Sequence, residues 1–459
     1  MSLSRETVYE LFNSFVKKKP NFVFLENENE KYTVGEFLKT ICTTANYLSE
    51  MGVKKGDVVS ILCKRDIETI VYFFSCQIMG AIALMVDMHE DLNKLELESG
   101  LKISYSIGEN RKVIKSSAFP EIKFEALNDS RETTIMISTS GSTGDRKLVI
   151  HSQYAFINNA FDSKNYGDYR EDDIALAFLP LNHVFAMAML FTAVCFQFKV
   201  FVAADSDVCS LLGYVDKYHI TRFNGVPSIL LKMTEMRDGY NVSSLRCAYV
   251  GGAPCSKSDY FKIEKNLGIK LISVYGMSEC IGISSGAFSD DSSLLADSVG
   301  RCYPANDIKI LDDGEIMVKS PSMCNGYFNG SLLTKNGYLL TGDIGRIDND
   351  GFLHIIGRKK EIIIRNGINV SISEIEKKLS EVKIFKEYAV VGIDDSSVGE
   401  VPALAVVLKE SVDNLDINSI LSRYLNKQEM PLKIAIVDKI PLLDNGKIDK
   451  KSVKKLFSL

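Results

Sequence analysis

Thr133-Thr134-Ile135-Met136-Ile137, followed by Ser138-Thr139-Ser140-Gly141-Ser142-Thr143-Gly144-Asp145-Arg146-Lys147, is the stretch that decides the fold. The first five residues form a β-branched run, which is typical of a buried strand. The next ten are mostly hydroxyl residues and glycines, and they end in a lysine. Glycines let backbone N–H groups turn toward an anion, and the hydroxyls and the ammonium add donors. The pattern indicates a polyphosphate site, and the alternative is a polar surface loop.

This loop differs from the P-loop of the nucleoside triphosphatases. That motif has a glycine directly before its lysine and a serine or threonine directly after it. Here Gly141 stands at the spacing of the first P-loop glycine, but Arg146 precedes Lys147 and Leu148 follows it. The sequence therefore predicts phosphate binding by another arrangement.

The composition is that of a large globular protein. The chain has 459 residues, 46% of them hydrophobic and 25% charged, with a net charge of −5. The length favours two or more domains, and the charge gives no support for a nucleic-acid partner. No two of the ten cysteines form a C-x-x-C pair, which argues against a zinc or redox site and fits a reducing, cytoplasmic location.

Two long stretches without charge, residues 69–86 and 174–198, have the length of a membrane span. The first contains Ser75, Gln77 and Gly80 and predicts a buried helix that runs into a strand. The second is interrupted by Pro180 and Asn182. The N-terminus lacks the apolar run of a signal peptide. We therefore expect no membrane insertion.

Helical and strand patterns alternate along most of the chain. Thr33 and Glu36 form a capping-box pattern for a helix that would reach Leu48. This alternation predicts an α/β protein with parallel-rich sheets covered by helices. Further predicted strands lie at 58–62, 81–86, 174–179, 199–203, 222–226, 245–250 and 271–274, and predicted helices lie at 68–79, from 187 onward and at 214–218. Strands that end in glycine turns place those turns at one edge, where such sheets bind ligands.

The pattern changes after Val299, where short strands alternate with Gly, Asp and Asn turns. We predict a small β subdomain over residues 300–356 and, after a charged junction, a separate small α+β domain. The expected boundaries are 1–357 for the large N-terminal domain and 358–459 for the C-terminal domain. In the latter, helices are expected at 373–382 and 418–426 and strands at 388–393, 403–408 and 434–437.

Seven motifs, in one order from about residue 30 to residue 450, resemble the adenylate-forming superfamily, which includes AMP-forming acyl-CoA synthetases, carrier-domain adenylation enzymes and luciferases. The motifs are the opening loop, Leu179-Pro180-Leu181-Asn182-His183-Val184-Phe185, Gly251-Gly252-Ala253-Pro254, Tyr275-Gly276-Met277-Ser278-Glu279, Thr341-Gly342-Asp343, Gly357-Arg358-Lys359-Lys360-Glu361 and Asn445-Gly446-Lys447-Ile448-Asp449. Individually, several are ordinary turns or exposed charges.

The resemblance implies a nucleotide site for ATP and Mg²⁺. Glu279 is the implied magnesium ligand, and Mg²⁺ prefers one or two carboxylates plus phosphate oxygens and water. Asp343 is the implied ribose acceptor, with Arg358 beside it. Arg146 replaces the proline that is usual in the phosphate loop, and it either contacts phosphate or is solvated. The implied nucleotide contacts are Thr139, Ser140, Gly141, Ser142, Thr143, Gly144, Lys147, Gly252, Ala253, Pro254, Tyr275, Gly276, Met277 and Ser278.

The resemblance also implies two half-reactions in one site. A carboxylate attacks the α-phosphate to give an acyl-adenylate, and a thiol then attacks that mixed anhydride. Lys447 is the implied cation at the reacting phosphate, where it would favour the transition state. His183 would lie near the carboxylate or gate its pocket. The small domain would rotate about Lys360, after which Gly367 would leave room for a pantetheine arm.

The sequence indicates less about the carboxylic acid and the acceptor thiol than about the nucleotide. Residues 186–191 carry no charge, which favours an acyl or aryl acid over an amino acid, since a buried unpaired ammonium is costly. Coenzyme A is the first acceptor and a carrier-protein phosphopantetheine the second. The oligomeric state stays open. Two further alternatives are a non-catalytic adenylate-binding homologue and a hydrolase, the latter because Gly282-Ile283-Ser284-Ser285-Gly286 fits the nucleophile-elbow pattern.

Overall fold

A computed structural model describes residues 3–88, 90–108, 121–140, 146–330, 332–366, 368–395, 397–409, 416–441 and 448–457. The strands are, in chain order, β1 Val23–Glu26, β2 Lys31–Thr33, β3 Val58–Leu62, β4 Ile82–Val86, β5 Tyr105–Ile107, β6 Thr133–Ser140, β7 Arg146–Ser152, β8 Ile174–Ala177, β9 Lys199–Val202, β10 Arg222–Gly225, β11 Cys247–Val250, β12 Lys270–Met277, β13 Cys280–Ser285, β14 Arg301–Cys302, β15 Asp307–Ile310, β16 Glu315–Lys319, β17 Gly326–Tyr327, β18 Thr334–Lys335, β19 Tyr338–Ile347, β20 Leu353–Arg358, β21 Ile362–Arg365, β22 Ile368–Ser371, β23 Phe385–Asp395, β24 Gly399–Leu408 and β25 Lys433–Ile436.

Helices cover the sheets. They are α1 Val8–Lys18, α2 Val34–Glu50, α3 Ile67–Met79, α4 Leu92–Ser99, α5 Gln153–Asp162, α6 Val184–Phe196, α7 Val208–Tyr218, α8 Pro227–Met236, α9 Lys257–Leu267, α10 Ser292–Leu295, α11 Ile372–Leu379, α12 Ile417–Leu421 and α13 Lys450–Lys455, with 3₁₀ turns at Ser163–Asn165 and Lys359–Glu361.

Two sheets with parallel centres organise the N-terminal part. The larger has the order β14-β13-β12-β11-β10-β8-β9-β1-β2, and the neighbours from β12 to β1 run parallel. The smaller has the order β17-β7-β6-β4-β3-β5, with β5, β3, β4 and β6 parallel and β7 antiparallel to β6. The predicted α/β class with parallel-rich sheets is confirmed.

Capping residues explain where α1 and α2 begin. Thr33 accepts from the Glu36 backbone N–H while the Glu36 side chain accepts from the Thr33 N–H, so the predicted capping box forms and α2 continues to Glu50. Thr7 and Glu10 make the same box at α1, a helix that the sequence analysis did not identify. In both helices the cap supplies partners for N–H groups that have none within the helix.

The two uncharged stretches are interior elements. α3 is buried over nearly all its length and leads into β4, and α6 lies in the same apolar core. A helix that is apolar on all sides belongs in a protein core or a bilayer. Within the described ranges, no helix combines the length and the hydropathy needed to cross a bilayer. The predicted strand 174–179 ends earlier, at Ala177, and α6 begins before the predicted residue 187.

Short strands dominate the region after Val299. Strands β15, β16, β19 and β18 form one sheet in that order, and β20 pairs with β19. A C-terminal sheet has the order β22-β21-β24-β23, with β25 beside β24. Here β23 and β24 are longer than predicted, and α12 ends at Leu421 rather than near Asn426.

The described chain divides into two compact units. One comprises residues 1–308, 318–339 and 351–353, and the other residues 309–317, 340–350 and 354–459. Each unit has its own apolar clusters: α1, α2, α3 and α6 contribute to one in the first unit, and α11, β23 and β24 contribute to one in the second. The predicted boundary at 357/358 stays a prediction.

Candidate active site

The carboxyl ends of β10 and β11 meet the acyl-side motif at one wall. A Cβ added to Gly251 would lie 2.8 Å from Val274 Cγ2 and 3.8 Å from Phe185 Cζ. The Asn224 side-chain amide donates to the Phe185 carbonyl over 3.0 Å. Glycine is therefore needed at position 251, because a side chain there would collide with β12. The structure thus joins the 179–185 and 251–254 motifs.

The Tyr275–Glu279 motif departs from the predicted strand-then-turn form. β12 continues to Met277, so three of its five residues are in the strand, and the pairing with β13 shifts register between Tyr275 and Met277. A Cβ on Gly276 would lie 2.2 Å from the Ile281 carbonyl oxygen. Glycine lets the chain fold tightly back at this point, and Ser278 and Glu279 form the connection to β13.

The described segments on either side of residues 141–145 are two paired strands. β6 and β7 pair antiparallel, with Thr139 opposite Lys147 and Ser140 opposite Arg146. The predicted contacts Gly141, Ser142, Thr143 and Gly144 lie outside the described residues. The Lys147 ammonium lies 4.7 Å from the centre of the Tyr327 ring, a cation–π distance.

Tyr327 also contacts the predicted metal ligand. Its hydroxyl donates to Glu279 Oε1 over 2.5 Å. Burial, together with the neighbouring carboxylate, raises the pKa of Tyr327 well above its usual value, so the phenol stays protonated. Sequence reasoning missed this residue, because a tyrosine in a turn-rich segment carries no signal for a contact 48 residues away.

A buried histidine links the hairpin to the same motif. His151 on β7 is fully buried, and its Nε2 lies 2.7 Å from the Ser278 carbonyl oxygen. Since a carbonyl only accepts, Nε2 carries the proton. Burial lowers the pKa of His151 to about 4, and the hydrogen bond to Ser278 opposes this only in part. The neutral ring thus holds β7 against Ser278.

His183 occupies a different environment. It is exposed and stands at the N-cap position of α6, where its side chain makes no capping hydrogen bond. An exposed imidazole beside the Phe185 wall agrees with a gate or a carboxylate contact, and that role stays a prediction. Sequence reasoning gave attention to His183 and none to His151.

The second unit contains the predicted ribose pair. Asp343 is buried, and its Oδ1 lies 2.7 Å from Arg358 Nε, so the two residues are neighbours, as expected. The backbone N–H of Gly342 donates to Glu315 Oε1, and Lys359 pairs with Glu315 Oε2 at 2.7 Å. Lys447 and Gly367 lie outside the described residues, so their predicted roles stay predictions.

The structure argues against the hydrolase alternative, because Ser284 does not lie on a nucleophile elbow. Ser284 lies inside β13, an interior strand, and its hydroxyl donates to the Val299 carbonyl over 2.8 Å. A nucleophile elbow needs an exposed serine on a sharp strand-to-helix turn. The downstream His354 lies 2.8 Å from Asp348 in the second unit.

The donor set suits Mg²⁺ bound together with a nucleotide. Within the described residues, no group of three or more His, Cys, Asp or Glu side chains could hold a metal alone. Glu279 instead offers one carboxylate, which contacts the same tyrosine as Lys147 of β7. A single carboxylate, with phosphate oxygens and water completing the shell, is the usual pattern for Mg²⁺ at nucleotides.

The α/β fold, with the apolar wall and the Lys147–Tyr327–Glu279 cluster in its first unit, is that of an enzyme suited to a nucleotide and an apolar acid. The profile of the AMP-binding enzyme family matches residues 12–102 and 89–328, and that of the AMP-binding enzyme C-terminal domain matches residues 374–447. The chain belongs to the AMP-binding enzyme family.

Relatives with known activities span the whole chain. A 2-succinylbenzoate–CoA ligase from Listeria monocytogenes serotype 4b (strain F2365) is 28% identical over 97% of this chain and 98% of its own length. The ligase of the same name from Bacillus subtilis (strain 168) is 27% identical over 95% of each chain. These matches confirm the predicted family and class of activity, an AMP-forming acid–thiol ligase.

Solved structures of similar enzymes have the same fold as this chain. The o-succinylbenzoate CoA synthetase of Bacillus subtilis in complex with the acyl-adenylate OSB-AMP has a TM-score of 0.86 at 25% identity, over 98% of this chain and 99% of that one. The same enzyme with ATP and a magnesium ion has a TM-score of 0.85 at 25% identity, over 98% of this chain and 100% of that one.

Proposed function

We propose that this chain is an ATP-dependent carboxylic acid:CoA ligase. The acid carboxylate attacks the α-phosphorus of ATP, pyrophosphate leaves, and an acyl-adenylate forms. The thiol of coenzyme A then attacks the acyl carbon, and AMP leaves. The observation that carries the proposal is the arrangement at the end of β12. This strand contributes Val274 to the apolar wall, and the connection that follows it contributes Glu279, which accepts a hydrogen bond from the tyrosine that also contacts Lys147.

Each part of ATP has a proposed partner. The Gly251 turn lets a flat base approach the backbone, and Asp343 accepts the two ribose hydroxyls while Arg358 holds that carboxylate. Lys147 and the hairpin loop bind the phosphates. The remaining nucleotide contacts that we propose are Gly252, Ala253, Pro254, Tyr275, Gly276, Met277 and Ser278.

Glu279 is the proposed protein ligand of Mg²⁺. The ion would neutralise negative charge on the phosphate oxygens that the attacking carboxylate must approach. The Bacillus subtilis synthetase has been solved with ATP and a magnesium ion, which supports the same cofactors for this chain.

Lys447 is the proposed cation of the first half-reaction, since charge builds up at the α-phosphate as the new bond forms. Rotation about Lys360 would then replace it by the segment around Gly367, which leaves room for the pantetheine arm. The two half-reactions thus depend on different residues of the C-terminal domain, 358–459 in our proposal.

The proposed acid is aromatic, and 2-succinylbenzoate is the first candidate. The wall formed by Phe185, Val274, Asn224 and Val226 carries no formal charge, so it suits an aryl ring and offers no carboxylate to pair with an ammonium group. The similar ligases from Listeria and Bacillus are named for 2-succinylbenzoate.

Coenzyme A is the proposed acceptor, with a carrier-protein phosphopantetheine as the alternative from sequence. We place the protein in the cytoplasm. All ten cysteines are free, and six of them are buried, which fits a reducing compartment.

Pyrophosphate exchange with a panel of aryl, acyl and amino acids tests the first half-reaction. We expect exchange with an aryl acid and AMP release when coenzyme A is added. Nucleotide binding without exchange for any acid would instead support a non-catalytic homologue. Lys447→Ala should abolish adenylation and spare thioester formation from added acyl-AMP, and Gly367→Leu should do the reverse. Equal loss of both steps in both variants would contradict the rotation.

A further inference from the structure

Residues 323–328 lie between the hairpin strand β7 and the Glu279 connection. On one side, the backbone N–H groups of Asn325 and Phe328 each donate over 2.8 Å, to Ile150 and Leu148 respectively. On the other side, the Cys324 N–H donates to the Glu279 carbonyl over 2.8 Å. This segment is therefore fixed by backbone hydrogen bonds to both of the elements that flank the proposed triphosphate site.

Tyr327 projects from the middle of this segment. Its backbone pairs with Val149 of β7. Its hydroxyl end binds the Glu279 carboxylate, and the Lys147 ammonium lies against its ring. One phenol thus contacts both charged groups that the proposed function assigns to Mg·ATP.

We propose that Tyr327 is a positioning residue, which keeps Glu279 and Lys147 oriented toward Mg·ATP. The proposal rests on the proposed function. The backbone of Tyr327 is paired with β7, so its hydroxyl end holds the Glu279 carboxylate and its ring supports the Lys147 ammonium at fixed positions.

The hydroxyl and the ring have separable tasks. The hydroxyl donates to Oε1 of Glu279, which fixes the carboxylate plane and would leave the other oxygen available to Mg²⁺. The ring supports the Lys147 ammonium. Tyr327→Phe removes the first contact and keeps the second, whereas Tyr327→Leu removes both.

Calorimetric titration of ATP, with and without Mg²⁺ and with no acid present, measures the effect apart from turnover. A hydrogen bond to a charged group contributes enough for about a tenfold change. Mg²⁺ should raise the affinity for ATP in both proteins, and we expect this increase to be about tenfold smaller in Tyr327→Phe than in the wild type. The two proteins should bind Mg²⁺-free ATP with the same affinity. Tyr327→Leu should also weaken binding of Mg²⁺-free ATP, because Lys147 is then displaced.

Tyr214→Phe is the matched control. Tyr214 on α7 donates to Glu28 over 3.1 Å, so this variant also loses a tyrosine–glutamate hydrogen bond, and α7 contributes nothing to the candidate site. We expect both titrations to be unchanged. A second measurement adds Tyr327→Phe to the Glu279→Gln variant. If Tyr327 acts through the carboxylate, the added substitution should reduce the Mg²⁺-dependent ATP affinity by less than about twofold.

Three outcomes would overturn the proposal. Tyr327→Phe could leave the Mg²⁺-dependent gain unchanged, it could weaken ATP equally with and without Mg²⁺, or its effect could persist in full in Glu279→Gln. If the wild type itself neither binds Mg·ATP nor exchanges pyrophosphate, the proposed function fails. Normal wild-type binding with an unaffected Tyr327→Phe variant contradicts only the role of Tyr327.

Discussion

The buried His151 predicts a specific dependence of stability on pH. The imidazole is fully buried and neutral, with Nε2 on the Ser278 carbonyl and Nδ1 without a hydrogen-bond partner among the described residues. Its pKa is lowered from 6.5 to about 4, mainly by burial. Between these pH values the His151 imidazole is protonated in the unfolded chain and neutral in the native state. Acidification therefore favours unfolding.

The magnitude follows from the two pKa values. At about 1.4 kcal/mol per pKa unit, the full effect is about 3 kcal/mol, of which about 2.5 kcal/mol is present at pH 4.5. The contribution is complete above pH 6.5, is lost as the pH falls toward 4, and changes no further below that. At pH 7 His151 therefore imposes no penalty.

Another buried group acts in the opposite direction over the same range. Burial raises the pKa of Asp162 to about 6, and the hydrogen bond from the Ala305 backbone reduces this rise. Its native state therefore gains a proton on acidification before the unfolded chain does, which favours the native state. The wild-type pH profile alone mixes both effects, so the measurement must be a difference between two proteins.

His151→Gln provides that difference, because the amide nitrogen of glutamine can still donate to Ser278 but does not titrate. We expect the variant to be less stable than the wild type at pH 7, through lost packing on Phe156, and this deficit to shrink by about 2.5 kcal/mol at pH 4.5. Urea unfolding followed by far-UV circular dichroism measures it, since the chain has no tryptophan. A deficit that is the same at both pH values would refute the reasoning.

Three other variants test packing and nucleotide binding. Asp173→Asn should cost about 3–5 kcal/mol in urea unfolding, because the fully buried carboxylate pairs with Arg222 and Arg246 at 2.7 and 2.6 Å and its loss leaves a buried guanidinium uncompensated. Gly300→Ala should lower the yield of folded protein or cost about 4 kcal/mol or more, since φ is +76° and the new Cβ would lie 1.9 Å from the Ser285 backbone; an ordinary urea midpoint would contradict this geometry. Asp343→Asn should weaken AMP binding about tenfold by calorimetry through loss of a charged acceptor, and unchanged binding would remove Asp343 from the ribose site.

Local signals in the sequence predicted local structure well. β3 has the predicted bounds, and α2 begins at the predicted capping box because both partners lie within four residues. The uncharged stretch 174–198 contains β8 and α6, and Pro180 and Asn182 lie between these two elements. These features depend on neighbours in the chain, and a single sequence contains them in full.

Pairings between distant segments were not predictable in the same way. The pairing of β6 with β7 places Thr139 opposite Lys147. The composition of the two strands does not determine this register, so the sequence analysis could not predict the pairing. The contacts of His151 with Ser278 and of Tyr327 with Glu279 span 127 and 48 residues. Motif order brought Lys147 and Glu279 into one site but gave no reason to include the residue between them.

The position of Glu279 relative to the apolar wall is set by how β12 is held beyond Val274. Gly276 allows the chain to approach Ile281 closely, which fixes the fold-back, and two side chains from outside the motif fix its end: His151 at the Ser278 carbonyl and Tyr327 at the Glu279 carboxylate. A shift at either contact would move Glu279, the proposed metal ligand, while leaving the wall in place. Since catalysis depends on the distance between the acid and the phosphate, changes at these two supports should slow adenylation more than they weaken binding of the acid.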